Sequence, residues 1–154
     1  MSSKKLIMKR IIAYRKLFGA TKETNLAELK TAYRNLVKEW HPDKFNNDEA
    51  KKAEAEVKST EIIEGYHFLV SIAPETHLQN KEEYEKLTTS SFIDSFEYKK
   101  ETLKLYFHDK SEYEYFGVSE NIYTKMRNSA TLARFARRHI YHDYQYRKIS
   151  NQAV

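Results

Sequence analysis

Apolar residues recur every three to four positions through the first half of this chain, and every second position over part of the second half. Within Leu26–Trp40, Leu29, Tyr33, Leu36 and Trp40 fall on one helical face, while Lys30, Arg34 and Lys38 form a second stripe at every fourth residue. Asn25 followed three residues later by Glu28 makes a capping box, so the helix should begin at Leu26. Pro42 has no amide hydrogen and drives His41 out of the α region, so the helix should end at Trp40. Residues 44–48 then form a loop, and a further helix from Asp48 or Glu49 aligns Ile62, Tyr66 and Leu69. The pattern predicts two antiparallel helices joined by an exposed His41-Pro42-Asp43 loop. An earlier helix with Leu6, Ile7, Ile11, Tyr14 and Leu17 on one face should pack against them.

From residue 92 to 118 the period is two, with β-branched and aromatic residues in Phe92–Tyr98, Leu103–Phe107 and Glu112–Phe116. Links of a few polar residues between them suit hairpins, so the economical topology is an antiparallel meander. After Glu120 the helical period returns, with Ile122, Met126, Leu132, Phe135 and Ile140 as core positions. The fold class is therefore α+β. A helical domain over residues 4–80 is followed by a polar linker at 81–90 and by a small domain at 91–149, a three-stranded antiparallel sheet with one or two helices.

Charge and composition narrow the function classes. Twenty-seven Lys and Arg against 22 Asp and Glu leave a formal charge of +5, which favours acidic partners. There is no cysteine, which excludes disulfides, thiolate metal sites and cysteine nucleophiles and fits a reducing cytoplasm. Lys9 and Arg10 interrupt any signal-peptide core, and no segment is apolar for long enough to span a bilayer. No membrane association is expected, since the apolar face of the first helix is explained by packing. His41 and Asp43 suggest a catalytic dyad, but no nucleophile is specified beside them, and no enzymatic function, catalytic residue or cofactor is expected. His139 and His142, three apart, suggest a metal site only weakly, because Asp143 is the one carboxylate nearby, and no metal is expected.

Residues 12–72 resemble the J-domain of DnaJ-type co-chaperones. The resemblance rests on Tyr14-x-x-Leu17-x-Gly19, Leu29-Lys30-x-Ala32-Tyr33-Arg34-x-Leu36, His41-Pro42-Asp43-Lys44 and Glu61-Ile62-x-Glu64-x-Tyr66-x-x-Leu69. It implies that His41, Pro42 and Asp43 trigger ATP hydrolysis in a DnaK-type heat-shock chaperone, that Lys30, Arg34, Lys38 and Lys44 dock on it electrostatically, and that Tyr33 is shared between core and interface. The chain departs from the family pattern at Glu39, where a basic residue is common, and at Phe45, where a small polar one is usual. Ser59 replaces a large apolar residue, which implies local repacking through Val57.

Residues 91–149 resemble the KTSC domain, a short module found alone in bacterial proteins and at the C-terminus of some lysyl-tRNA synthetases. Ser91-x-Ile93, Phe96-x-Tyr98, Leu103-x-Leu105-x-Phe107, Tyr113-x-Tyr115-x-x-Val118, Ile122-Tyr123 and Ile140-x-x-x-Tyr144-x-Tyr146 carry the likeness. Family function is poorly defined, with RNA binding supposed. Lys125, Arg127, Arg134, Arg137 and Arg138 supply cations for phosphate, and Tyr113 and Tyr115 are candidates for base stacking. Tyrosines at period two share one face, and that face is equally explained as core against the C-terminal helix.

Taken together, these features suggest a cytoplasmic co-chaperone that recruits and stimulates a DnaK-type ATPase while its C-terminal domain targets an unknown client, RNA or a ribonucleoprotein. The alternative is an RNA-binding protein whose J-like half docks without stimulating, and a third reading is a protein-interaction adaptor.

Overall fold

The computed structural model describes residues 2–149, with side chains from Arg10 onward, so Leu6 and Ile7 lie outside the described residues. The chain falls into two compact units, one spanning Arg10–Leu78 and one beginning at Gln79.

The first unit is helical. Helix α1 (Ser2–Phe18) stops at Gly19, whose φ of 61° lets the Ala20 amide return to the Arg15 carbonyl at 2.8 Å. Helix α2 (Leu26–Trp40) begins with the expected capping box. The Glu28 amide donates to the Asn25 side chain at 2.8 Å, and the Asn25 amide donates to the Glu28 carboxylate at 3.3 Å. After a 3₁₀ turn at Pro42–Phe45, where the sequence pattern suggested only a loop, α3 (Glu49–Ile72) runs back along α2. Its N-cap is Asp48, which accepts the Lys51 amide at 3.1 Å. The core of this unit holds Phe18, Leu29, Ala55, Ile62, Phe68, Leu69 and Ile72. At Gly65 the absence of a side chain lets rings of α1 sit close against α3, since a Cβ there would meet the Tyr14 ring at 2.9 Å and the Phe18 ring at 3.1 Å. A short α4 (Pro74–Gln79) completes the unit.

In the second unit the sheet has four strands in sequential antiparallel order, β1 (Ile93–Lys99), β2 (Thr102–Phe107), β3 (Glu112–Phe116) and β4 (Gln145–Ile149). The three-stranded meander was foreseen, whereas β4 was not. It is five residues long, three of them charged or amide-bearing, and it joins the sheet by pairing with β3 rather than by any apolar run of its own. Residues 81–90, expected as a linker, are helix α5 (Lys81–Ser90). Along its polar C-terminal turns Thr88, Thr89 and Ser90 each satisfy a hydroxyl on the carbonyl four residues back, at 2.9, 2.8 and 2.6 Å. Tyr84, Leu87 and Thr88 share the buried face. With α6 (Glu120–Arg127) and α7 (Leu132–His139), three helices rather than one or two cover the sheet.

The core beneath these helices is dominated by tyrosine. Leu103, Leu105 and Phe107 of β2 and Tyr113 and Tyr115 of β3 point into it at period two, and they meet Tyr84, Met126, Ala136, Ile140 and Tyr141. Buried hydroxyls need partners, and the Tyr84 hydroxyl supplies two, lying 2.8 Å from the Tyr115 hydroxyl and donating to the Tyr141 carbonyl at 2.8 Å. Tyr98 donates to the Val118 carbonyl at 2.6 Å and stacks on Tyr123. Across the opposite face of the sheet, Glu97, Lys104, Glu114 and Arg147 stand directly opposite one another in adjacent strands. Arg147 donates to the Glu114 carboxylate at 2.8 Å.

Burial holds the core phenols neutral. It pushes Tyr141 up to about 12, with the Arg137 guanidinium opposing the shift, and raises Tyr84 and Tyr115 further. Because these folded-state values lie above the ordinary 10.0, their contribution is complete below pH 10 and is lost as pH rises through the folded-state values. Urea midpoints of this unit, followed by tyrosine near-ultraviolet dichroism, should therefore be insensitive to these groups at pH 7–9 and fall steeply from about pH 10 to 12. Tyr84→Phe strands the Tyr115 hydroxyl and the Tyr141 carbonyl, and it should cost about 1–3 kcal/mol in the same denaturation.

Candidate functional site

The turn after α2 is built from few atoms. His41 is extended (φ −62°, ψ 126°) and caps both elements, closing α2 and opening the 3₁₀ turn. Its Nδ1 accepts the Asp43 amide at 3.2 Å, which places the neutral ring's hydrogen on Nε2, and its carbonyl accepts the Lys44 amide at 3.0 Å. The Phe45 carbonyl in turn accepts the Asp48 amide at 3.1 Å. The Asp43 carboxylate stands 3.7 Å from the imidazole, with its side chain 81% exposed and that of His41 52% exposed. The three residues of the turn are thus presented together on a short, hydrogen-bonded platform.

Lys30, Arg34 and Lys38 project to solvent from α2, on the side away from buried Leu29, and Lys44 projects from the turn. Among the described residues none of the four is ion-paired with a carboxylate. Tyr33 is half-buried and stacks on Tyr66 of α3 with ring centres 4.3 Å apart, fixing the rotation of the stripe. Phe45 is half-buried with the Lys51 ammonium 5.9 Å from its ring centre. The repacking expected through Val57 does not occur, since Val57 is 71% exposed. Instead the Ser59 hydroxyl donates to the Trp40 carbonyl at 3.1 Å, a role for a small polar residue that no sequence pattern announced.

In the second unit Lys125 and Arg127 are exposed on α6, and Arg134, Arg137 and Arg138 are exposed on α7 opposite buried Ala136. Arg127 lies over the Tyr123 ring at 5.6 Å. Tyr113 and Tyr115, considered as stacking platforms, are 3% and 0% exposed and belong to the core, so neither can receive a base. Period two put both on one face, and that face is the one the helices cover. His139 ends α7 and His142 lies in the turn after it, so the pair does not share a helix face. Among the described residues no group of three metal-ligating side chains comes together, and no helix is long and apolar enough to cross a membrane.

The first unit is thus an antiparallel helical hairpin that presents a His-Pro-Asp turn beside a cationic stripe, and the four-stranded sheet belongs to the second unit. Residues 13–85 match the DnaJ domain and residues 89–144 the KTSC domain, so this chain joins one to the other. Among characterised proteins it is similar to the chaperone protein DnaJ of Mesomycoplasma hyopneumoniae, 38% identical over 82 residues, or 53% of this chain and 21% of that protein. The DnaJ of Fusobacterium nucleatum is 34% identical over 80 residues, 51% of this chain and 19% of that one. A DnaJ homolog subfamily C member 7 homolog of Dictyostelium discoideum is 44% identical over 57 residues, 36% and 11% of the respective chains. The chain thus spans about a fifth or less of the length of these relatives.

Surface cations and core residues of α2 should separate cleanly in stability measurements. Leu29→Ala should destabilise the first unit by about 2–5 kcal/mol, whereas Arg34→Ala should change it by no more than about 0.5 kcal/mol. Fluorescence of Trp40, the one tryptophan, follows this unit during urea unfolding.

Proposed function

We propose that this chain is a co-chaperone that binds a DnaK-type heat-shock chaperone through its first unit and stimulates that partner's ATP hydrolysis, while its second unit targets the complex. The observation that carries this reading is the exposed His41-Pro42-Asp43 turn flanked by Lys30, Arg34, Lys38 and Lys44, all within the segment that matches the DnaJ domain. Four unpaired cations speed encounter with an acidic surface and set its orientation. Pro42 and the bonds within the turn hold His41 and Asp43 in one arrangement, so little conformational freedom is lost on docking. The catalytic groups and the nucleotide belong to the partner; this chain contributes contacts that bias the partner toward hydrolysis.

The targeting unit offers Arg134, Arg137 and Arg138 along one side of α7, a helix with no acidic residue, and guanidinium groups suit the carboxylates of a client or the phosphates of RNA. With Tyr113 and Tyr115 in the core, recognition there rests on charge rather than on base stacking.

Single-turnover ATP hydrolysis by a DnaK-type chaperone tests the reading. The wild-type chain should accelerate hydrolysis, and His41→Gln and Asp43→Asn should each abolish the acceleration without changing urea stability by more than about 0.5 kcal/mol. No acceleration by the wild type would leave a docking module without stimulatory activity attached to an RNA-binding or adaptor domain. In that case, RNA affinity that falls steeply with salt and is lost on combined substitution of the three α7 arginines would identify the former.

A further inference from the structure

We propose that Ser59 is a positioning residue for the His41-Pro42-Asp43 turn, holding it in place through the carbonyl of Trp40. This inference rests on the co-chaperone reading for its functional consequence but on the structure alone for its geometry. A helix ends with carbonyls that no following amide of its own can meet, and the common remedy is a left-handed residue that turns the chain back on the last turn. Here that remedy is absent. The residue after Trp40 is extended, and the next is proline, which has no amide hydrogen to offer. The donor comes from α3, nineteen residues along the chain, where the Ser59 hydroxyl reaches the Trp40 carbonyl at 3.1 Å.

The other bonds of the turn are local, joining His41 to Asp43 and Lys44, and Phe45 to Asp48. They fix the internal shape of the turn, while its direction relative to the hairpin rests on contacts with α3, of which the Lys51 ammonium 5.9 Å from the Phe45 ring centre is one loose instance. Two contacts tie Trp40 to α3. One is the Ser59 hydroxyl; the other is the Lys58 ammonium, 5.7 Å from the Trp40 ring centre and half-engaged with Glu61 at 3.9 Å. A cation over the ring of half-buried Trp40 is a loose restraint, whereas a hydrogen bond to a carbonyl is short and directional. Val57, two residues earlier on α3, is 71% exposed and contributes nothing to this contact. An alanine at this position would remove the hydroxyl and leave the carbonyl without this donor.

The test uses the full chain with Ser59→Ala and Ser59→Thr, the second retaining the hydroxyl. Two quantities are read. The first is amide hydrogen exchange at Asp43 and Lys44, which needs no partner, with the amides of Phe68 and Leu69 reporting that the unit remains folded. The second is single-turnover stimulation of a DnaK-type chaperone, resolved into its maximum and the concentration giving half of it. Ser59→Ala should raise exchange at Asp43 and Lys44 about fivefold, the factor one net hydrogen bond commands, and lower the maximum by a similar factor. The half-saturating concentration, which depends on the cationic stripe, should move less than about twofold. Ser59→Thr should restore both quantities. The proposal is overturned if alanine leaves the exchange or the maximum at the wild-type value, or if threonine behaves as alanine does. Should the wild-type chain give no stimulation, the co-chaperone reading itself is lost, and the exchange measurement alone decides whether Ser59 positions the turn.

Discussion

The last carbonyls of α2 need donors, and the chain places a proline where a donor would ordinarily come from. Much of the first unit follows from that shortage. The turn cannot wind back on its own helix, so it stays extended at His41 and then tightens into a 3₁₀ turn that carries Asp43 and Lys44 outward. The missing donor is drawn from α3, which makes α3 the element on which the others are hung. Ser59 reaches the end of α2, Ile62 and Leu69 lie in the core, and Tyr66 stacks on Tyr33. On the α1 side, Gly65 admits the rings of Tyr14 and Phe18 to within a distance that no Cβ would allow. A helix with apolar contacts on several sides has little net amphipathic character, and α3 is identified as the hub by what surrounds it rather than by a stripe.

The second unit meets the same kind of demand differently. Its core is filled with phenols, each adding a large apolar ring together with a hydroxyl that has to be satisfied away from water. Tyr84 of α5 resolves part of this by reaching both Tyr115 on β3 and the backbone at Tyr141. The helix is thereby bound into the sheet domain by directional bonds as well as by the burial of Leu87. This explains why a segment whose residues look like a spacer is ordered, and why the matched KTSC segment, residues 89–144, is shorter at both ends than the folded unit.

The elements read correctly from sequence were those whose signals are local. The Asn25–Glu28 box, the stop at Pro42, the start of α3 at Asp48 or Glu49 and the alternation through β2 and β3 all depend on residues within a few positions of one another. So did the candidate turn and its cations, since their spacing alone sets them on one helix face. What escaped the reading depends on partners far along the chain. Strand β4 exists because β3 has an open edge, α5 because its Tyr84 and Leu87 find the sheet, and the Ser59 contact because α3 returns past Trp40. The tyrosines of β3 fell between these cases. Their shared face was legible, but whether helices or solvent covered that face was a tertiary fact.

The row formed by Glu97, Lys104, Glu114 and Arg147 alternates in sign from one edge of the sheet to the other. Each residue has an opposite charge beside it in the observed strand order. Laying β4 against β2 would set Arg147 beside Lys104, and laying β1 against β3 would set Glu97 beside Glu114. A slip of one residue would carry the charges onto the tyrosine face. The row therefore disfavours strand orders that set like charges side by side, which matters most for β4, whose own residues carry so little preference for a strand.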